Sequence, residues 1–249
     1  MQPLAIQITD LYKIYRGAWA PALDGLTLEV KQNCIMGLLG PNGAGKTTCI
    51  SILCGLISPG KGTADIFGKN CTTDKKHIRS LIGVVPQQIA LFNQLTAIEN
   101  FQYFGRLYDL SEALIKKRSE VLLERFGLEK HANKRIDRFS GGMKRRANII
   151  ASLLHEPELL ILDEPTAGVD VQSRAMILDF LNDYKNSGKT ILYTSHFLDE
   201  AQKICDEVVI IDEGKYIIGG TPEGLVLQTE NCKDLEGVFL HYTGRLIRD

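Results

Sequence analysis

The sequence predicts an α/β fold with a mostly parallel sheet, an N-terminal antiparallel β part and a helical insert. Short apolar runs, each suited to a buried strand, alternate with helical patterns along most of the chain. One run, residues 34–39, leads through a glycine-rich loop into an apolar helical stretch. Residues 91–134 keep helical spacing without a strand-like run. We therefore expect a single domain, 1–249, with a helical insert at approximately 90–155.

Composition and charge are those of an ordinary globular protein. Of the 249 residues, 44% are hydrophobic and 24% charged, and 29 basic against 30 acidic side chains give a net charge of −1. This balance argues against a broad basic surface, so no nucleic-acid partner is predicted. No apolar run approaches the roughly eighteen residues of a membrane span, and the start lacks a signal-peptide pattern. Six cysteines without a C-x-x-C pair are expected to be core residues in a reducing compartment, which predicts a cytoplasmic protein.

The first third of the chain is predicted to be rich in strands. Strands are expected at 6–15, 23–30, 34–39, 63–67 and 78–85, with one helix at 48–57. Asn33 stands before the third strand, where a turn needs a residue that tolerates a positive φ.

Capping signals define the predicted helical insert. Thr96 and Glu99 form a capping-box pattern before a stretch with helical spacing. Ser111 is placed to cap a second helix that runs to about residue 126. Beyond the insert, strands are expected at 159–162, 190–194, 208–211 and 216–218, with helices at 171–184 and 198–204. The last two strands predict a hairpin, and Pro222 starts a final short helix.

The stretch from Gly40 to Thr47 fits the phosphate-loop pattern G-x-x-x-x-G-K-[ST] at every fixed position. Its glycines let backbone N–H groups point at phosphate oxygens, and the following helix N-terminus favours an anion. Lys46 is expected to reach the β- and γ-phosphates, and the Thr47 hydroxyl to ligate Mg²⁺. The strand–loop–helix context predicts a P-loop NTPase core. Its candidate nucleotide-binding residues are Gly40, Pro41, Asn42, Gly43, Ala44, Gly45, Lys46, Thr47 and Thr48.

Two further motifs narrow the chemistry. Asp163 ends a buried apolar run, where a carboxylate can hold Mg²⁺, and Glu164 could orient and deprotonate an attacking water. Ser140, Gly141 and Gly142 open a helix and form a second anion cradle of backbone N–H groups and a hydroxyl. A simple kinase has no use for such a second cradle.

The order of GPNGAGKT, VPQQ, FSGGM, LLILDEPTAGVD and TSH resembles the ATPase subunit of an ATP-binding cassette (ABC) transporter, over essentially the whole chain from residue 6 to residue 249. The resemblance implies that Tyr15 stacks on adenine, although Tyr12 is a rival for that role. It implies that residues 140–142 bind the γ-phosphate of an ATP held by a second subunit. Asp170 resembles the aspartate of a loop that crosses the dimer.

The same resemblance assigns the catalytic and metal-binding groups. Asp163 resembles the Mg²⁺ aspartate, and Glu164 the catalytic glutamate. Gln87 resembles the glutamine that touches Mg²⁺ or water, which makes Thr47, Gln87 and Asp163 the expected metal ligands. His196 resembles the switch histidine that contacts the γ-phosphate. Together with Lys46, these residues form the expected catalytic group.

Some residues depart from the family pattern or have a plainer interpretation. Phe139 stands where leucine is usual, Met143 where glutamine is common, and Asn33 with Cys34 where Gly-Glu is usual. None of these changes removes a group that the chemistry needs. The basic run 144–146 is expected to be a solvated helix face rather than a nucleic-acid patch.

The resemblance implies ATP and Mg²⁺ as cofactors and a homodimer of two ATPase subunits that sandwiches two ATP molecules. An integral membrane permease is expected as a separate chain, which would hold this subunit peripherally on the cytoplasmic face of the membrane. Residues 235–244 resemble the tail of export-type ATPases, and no regulatory domain of the sugar-importer type is expected. An importer subunit, an ABC protein acting on nucleic acid or ribosomes, and a phosphate-loop kinase remain the alternatives.

Overall fold

The computed structural model describes residues 3–244, so the predicted domain range of 1–249 extends beyond the described residues at both ends. Ten strands and nine α-helices lie in the described part, with single 3₁₀ turns at Glu129–His131 and Ile136–Arg138. The strands are β1 (Leu4–Lys13), β2 (Leu23–Lys31), β3 (Ile35–Leu39), β4 (Lys61–Ile66), β5 (Lys69–Asn70), β6 (Ile82–Val85), β7 (Leu159–Asp163), β8 (Thr190–Thr194), β9 (Glu207–Asp212) and β10 (Lys215–Gly220). The helices are α1 (Lys46–Leu53), α2 (Lys75–Leu81), α3 (Ala97–Leu107), α4 (Glu112–Arg125), α5 (Gly141–Leu153), α6 (Val171–Asn186), α7 (Leu198–Ile204), α8 (Pro222–Gln228) and α9 (Leu235–Thr243).

The strands form two sheets. The N-terminal sheet is antiparallel in the order β2-β1-β4-β5, and the second sheet has the order β10-β9-β3-β8-β7-β6. From β9 to β6 the second sheet is parallel, and β10 joins its edge as the antiparallel half of a hairpin. The predicted mostly parallel sheet, antiparallel N-terminal part and hairpin are confirmed.

The parallel sheet separates two apolar clusters. In β7, Leu160 and Leu162 pack on one side with residues of α3 to α7, whereas Leu159 and Ile161 pack on the other with residues of α1 and the antiparallel sheet. Every residue of β3, β7 and β8 is buried, as expected for central strands that are covered on both faces. This packing fixes the ends of these strands, where the loops of interest begin.

The capping signals in the helical region are confirmed. The Thr96 hydroxyl accepts a hydrogen bond from the Glu99 N–H while the Glu99 carboxylate accepts one from the Thr96 N–H, and Ser111 caps α4. α3, α4 and α5 follow one another without a strand between them. The extent of this region as a distinct insert, at approximately 90–155, stays a prediction.

Three local predictions are wrong in part. The strand expected at 78–85 begins only at Ile82, because residues 75–81 form α2. Buried Ile78 and partly buried Leu81 lie three apart, which is helical spacing. The helix expected at 48–57 ends at Leu53, since Gly55 has a φ of 67°. The short helix at 222 is not the final one, because α9 follows it.

The cysteines behave as core residues. All six are free, and five of them are buried; Cys232 is half-buried. Burial raises the pKa of Cys49, Cys54 and Cys71 to about 12, which keeps these thiols protonated and unreactive at neutral pH.

Candidate functional site

The predicted functional residues lie at one end of the parallel sheet. β3, β8, β7 and β6 are parallel neighbours, so their carboxyl ends open on the same side. Clefts at this edge are the usual ligand sites of open α/β sheets. The loops that leave these strands begin at Gly40, Pro86, Glu164 and Ser195.

The phosphate loop is tightly built because two of its glycines have no room for a side chain. A Cβ at Gly40 would lie 2.3 Å from the Ile211 carbonyl oxygen, and one at Gly45 would lie 2.4 Å from that of Ala22. Gly45 also has a φ of 103°, which an L side chain rarely adopts, and α1 starts directly after it. The sequence folds here into a cradle around a helix N-terminus, as an anion site requires.

Lys46 lies inside this cradle and is only 7% exposed. Its Nζ donates hydrogen bonds to the carbonyl oxygens of Gly40, at 2.6 Å, and Pro41, at 3.1 Å. Burial lowers the pKa of Lys46, and the carboxylates of Glu164 and Asp163 act against that shift. The ammonium group is therefore held at the loop with two negative charges nearby.

A cavity of about 300 Å³ adjoins Lys46. It has room for a phosphate chain, and its lining combines phosphate-loop residues with two groups from other strand ends. The lining residues are Ala22, Asn42, Gly43, Ala44, Gly45, Lys46, Thr47, Thr48, Gln87 and Glu164. Nine of these ten lie where the sequence places nucleotide-binding or catalytic residues, and Ala22 is the addition.

Glu164 is the meeting point of the predicted catalytic residues. Gln87 Nε2 donates to Glu164 Oε2 at 2.9 Å, and His196 Nε2 contacts Glu164 Oε1. Glu164 itself is buried and has a φ of 50°, in the left-handed region that non-glycine residues seldom occupy. The turn thus aims this carboxylate at Gln87 and His196 rather than along the strand.

Thr194 ties the ends of β7 and β8 together. Its hydroxyl donates to Asp163 Oδ1 at 2.7 Å and accepts from the Glu164 N–H at 3.0 Å. One side chain of β8 therefore orients both acidic residues of β7. Sequence reasoning gave Thr194 no role, although it is the first residue of the TSH motif.

The residues present fit a magnesium–nucleotide complex. The Gly43 cradle is open, with no atom within 4 Å of a built Cβ. Thr47, Gln87 and Asp163 offer oxygen donors, the kind that Mg²⁺ prefers, but residues 3–244 contain no cluster of three or more His, Cys, Asp or Glu suited to a metal ion. A metal here would depend on phosphate oxygens and water for the rest of its shell.

The structure places Tyr15, and not Tyr12, beside the phosphate loop. The Tyr15 hydroxyl lies 3.3 Å from Thr48 Oγ1 in the first turn of α1, and its ring is partly exposed. Tyr12 instead packs near Gly25, and Lys61 Nζ lies 5.9 Å from its ring centre.

The second glycine cradle lies apart from this cavity. Ser140 caps α5 by accepting from the Met143 N–H at 3.3 Å, and both Ser140 and Gly141 are exposed. A Cβ at Gly142 would lie 2.3 Å from Ser173 Oγ and 2.5 Å from Asp170 Oδ2. The signature residues and the start of α6 are therefore packed together, but none of Ser140, Gly141, Gly142 and Asp170 lines the Lys46 cavity.

Asp170 caps α6 in this packed region. Its carboxylate accepts from the Ser173 N–H at 2.9 Å and from the Ser173 hydroxyl at 2.8 Å. These hydrogen bonds lower the pKa of Asp170, so the group stays negatively charged at neutral pH.

The basic run 144–146 is not a solvated face, which corrects the sequence interpretation. Arg145 is 5% exposed, and its guanidinium donates to the carbonyl oxygens of Pro86, at 2.8 Å, and Gln87. Arg146 is half-buried and donates to the Phe126 carbonyl oxygen at 2.6 Å. The helix of the second cradle thus holds the loop that carries Gln87. The burial of Arg145 could have been predicted from its position, because Arg145 and Ile149 lie four residues apart and therefore on the same, apolar face of α5.

The chain is similar in sequence to ATPase subunits of ABC transporters. The family model described as "ABC transporter" matches residues 23–167, more than half of the chain. The linearmycin resistance ATP-binding protein LnrL of Bacillus subtilis is 44% identical over 86% of this chain and 67% of its own length. The Nod factor export ATP-binding protein I of Ralstonia nicotianae is 42% identical over 86% of this chain and 67% of its own. The matched part thus spans about two thirds of these relatives.

Solved structures agree with the fold. The ATP-binding subunit of an ABC transporter superposes with a TM-score of 0.87 and 30% identity, covering 95% of this chain and 98% of the other. A dimeric ATP-binding cassette in a post-hydrolysis state, bound to ADP and phosphate, superposes with a TM-score of 0.79 and 25% identity, covering 87% of this chain and 98% of the other.

Proposed function

This chain belongs to the ABC transporter family as an ATPase subunit, and we propose that two copies pair around two ATP molecules to drive export through a separate membrane permease. The observation that carries the proposal is the contrast between the two cradles. The cradle at the start of α1 lies in a cavity that Lys46 and Glu164 line. The cradle at the start of α5 is exposed and lies outside that cavity. A second copy, arranged head to tail, would place its α5 cradle against the α1 cradle of the first copy.

Hydrolysis at the α1 cradle uses side chains that the fold already orients. The backbone of the phosphate loop and Lys46 bind the phosphates, and Thr47, Asp163 and Gln87 would hold Mg²⁺, which neutralises developing charge when bound. Glu164 accepts a proton from the attacking water, and His196 and Gln87 hold its two carboxylate oxygens in place. Tyr15 stacks on the adenine ring.

The second cradle supplies recognition rather than chemistry. Ser140 and the N–H groups at the start of α5 bind the γ-phosphate held by the other copy. Asp170, packed against Gly142, faces the same interface. Release of the cleaved phosphate removes this contact, so the dimer opens after hydrolysis. The similar cassette that is dimeric with ADP and phosphate still bound supports the pairing of two chains.

Export as the direction rests on the relatives. One is named for resistance to linearmycin and another for export of Nod factor. No helix among the described residues is long and apolar enough to cross a membrane. Family membership supports the proposed permease, which Gln87 and the helical region would contact from the cytoplasmic face of the membrane.

The experiment is affinity purification of the full chain from membranes, followed by an assay for phosphate release from ATP. We expect an integral membrane protein to co-purify, and ATP to be hydrolysed without any phosphorylated acceptor. Co-purification of RNA instead of a membrane protein would contradict the transporter role. A phosphorylated acceptor would indicate a kinase.

A further inference from the structure

A buried carboxylate outside the predicted site connects three of its elements. Glu200, in the first turn of α7, is only 2% exposed. Its Oε2 accepts hydrogen bonds from the Thr166 hydroxyl, at 2.7 Å, and the Tyr193 hydroxyl, at 2.8 Å. Arg174 Nε lies 3.1 Å from Glu200 Oε1, so the carboxylate also has an ion-pair partner.

Each partner of Glu200 belongs to a different element of the site. Thr166 lies two residues after Glu164, on the loop that leaves β7. Tyr193 lies in β8 next to Thr194, whose hydroxyl holds Asp163. Arg174 lies in the first turns of α6, four residues after Asp170, and its guanidinium lies 4.5 Å from the ring centre of Phe197, the neighbour of His196.

Burying the Glu200 carboxylate beneath these loops costs more free energy than burying an apolar side chain of similar size would. Taking a carboxylate out of water costs free energy that hydrogen bonds and an opposite charge must offset, and an apolar side chain would avoid the cost. Buried polar networks are instead suited to fixing one geometry, because each hydrogen bond specifies a direction and a distance. Burial and the Glu200 charge both raise the pKa of Tyr193, so its hydroxyl stays protonated and remains a donor.

We infer that Glu200 is a positioning residue that holds the Glu164 loop, the His196 turn and the start of α6 in one fixed arrangement. The inference rests on the ATP hydrolysis proposed for this site. Glu200 does not line the Lys46 cavity, and it acts through Thr166 and Tyr193. Because of these contacts, Glu164, His196 and Asp170 move as one unit when a second copy docks.

The position of the cluster separates its effect from nucleotide binding. The Glu200 contacts involve β8, α6 and the loop after β7, whereas the phosphate loop and α1 provide most of the cavity lining. Loss of a Glu200 contact should therefore lower kcat and leave the KM for ATP nearly unchanged. A purely structural role would instead lower the melting temperature without changing the kcat of the folded protein.

The test compares Thr166→Val with Thr166→Ser in the full chain, with wild type in parallel. Valine keeps the shape of threonine but removes the hydroxyl, and serine keeps the hydroxyl. The control is Thr229→Val, which removes another buried hydroxyl, one that donates to the Leu225 carbonyl oxygen at 2.8 Å in α8. Steady-state kcat and the KM for ATP are measured at a temperature below the unfolding range of every variant, and a separate melting curve gives each melting temperature.

We expect Thr166→Val to lower kcat by about tenfold, because it removes one hydrogen bond to a charged group. Thr166→Ser should stay within about twofold of wild type, and Thr229→Val should match wild type, since neither loses that contact. Wild-type kcat in Thr166→Val, a large rise in its KM, an equal loss in Thr229→Val, or no rescue by serine would overturn the inference.

Tyr193→Phe keeps the ring and removes only the hydroxyl, so it replaces Thr166→Val under the same criteria if the valine variant does not fold. The wild-type measurement separates the two claims. An inactive wild-type chain contradicts the proposed hydrolysis and the inference with it. An active wild type with an unaffected Thr166→Val variant contradicts the inference alone.

Discussion

The two glycine-rich helix starts of this chain, at α1 and at α5, differ in their backbone and in their surroundings: the N-cap Gly45 has a φ of 103°, whereas the N-cap Ser140 is extended and caps α5 with its side chain. At the start of α1, Lys46 is buried, and Asp163 and Glu164 lie close enough to affect its pKa. At the start of α5, Ser140 and Gly141 are exposed, and the nearest carboxylate, Asp170, is already bonded to Ser173. The first cradle has a cation and a base within reach, and the second has a hydroxyl and backbone N–H groups.

This difference separates binding from chemistry. A helix N-terminus supplies enough positive potential to attract a phosphate, but hydrolysis also needs a fixed cation and a group that takes a proton. Only the α1 cradle has both. Because the α5 cradle lies outside the Lys46 cavity in the same chain, it can serve that cavity only from another molecule.

The largest expected effect comes from removing the lysine ammonium group from the α1 cradle. Lys46→Ala should lower ATP hydrolysis by about a thousandfold or more, since positioning and charge stabilisation supply nearly all the catalysis of phosphoryl transfer. The measurement is phosphate release under saturating ATP and Mg²⁺. Lys116→Ala is the matched control, because Lys116 is an exposed lysine of α4. Near-normal turnover of Lys46→Ala would remove the chemical distinction between the cradles.

An intermediate effect should separate two neighbouring glycines of the α5 cradle. A Cβ at Gly142 would lie 2.3 Å from Ser173 Oγ, whereas one at Gly141 would have the Gly168 carbonyl oxygen as its nearest neighbour at 3.7 Å. Gly142→Ala should therefore destabilise the fold by about 1–3 kcal/mol through overpacking. Gly141→Ala should keep the wild-type melting temperature.

The two alanine variants should differ in melting temperature but not in their loss of ATP hydrolysis. Both alanine variants should lose about tenfold or more in activity. Gly141→Ala places a methyl group on the exposed face proposed to bind phosphate, and Gly142→Ala pushes the start of α5 away from Ser173 and Asp170. Melting curves and phosphate release, measured side by side, check this. Full activity in Gly141→Ala would mean that the exposed glycine meets no partner.

The smallest expected effect is on pH dependence, and it belongs to the α1 cradle alone. Burial lowers the pKa of Lys46 below its usual 10.5, so its ammonium loses its proton earlier than an exposed lysine does as the pH rises. ATP affinity should fall across this alkaline range, because the attraction for phosphate disappears with the charge. The fold should gain slight stability over the same range, since the buried group becomes neutral there while the unfolded chain still binds the proton.

Titration of ATP binding from pH 8 upward, with nucleotide-free melting curves alongside, measures both trends. Lys46→Ala should bind weakly with a flat profile. A wild-type profile as flat as that of the variant would show that Lys46 does not hold the phosphates.

The sequence predicted the parts of this molecule in which chemistry and periodicity agree. Fully apolar runs such as those of β7 and β8 allow only buried strands between turn signals, and the phosphate loop allows few substitutions. Tyr15 and the catalytic residues were therefore placed at positions that the fold brings to one end of the sheet. The two cradles were both visible as motifs.

What the sequence could not show depends on tertiary contacts. Arg145 looks like any residue of a basic helix face until the fold buries it against the Pro86 and Gln87 carbonyls. Glu200 lies in a short helix whose inner face is known only once Thr166 and Tyr193 are beside it. The strand expected at 78–85 takes in residues 78–81 of α2, because the apolar residues Ile78, Leu81 and Ile82 fit either period.

The most direct test of the proposal that two chains pair around ATP is the molar mass of the Glu164→Gln variant with ATP and Mg²⁺, measured by light scattering. The substitution removes the base and leaves both cradles, so ATP should remain intact and hold two chains together. We predict a mass of about twice 27.7 kDa, and a return to 27.7 kDa when Ser140→Arg is added, with ATP still bound. A Glu164→Gln chain that binds ATP and stays at 27.7 kDa would contradict the account.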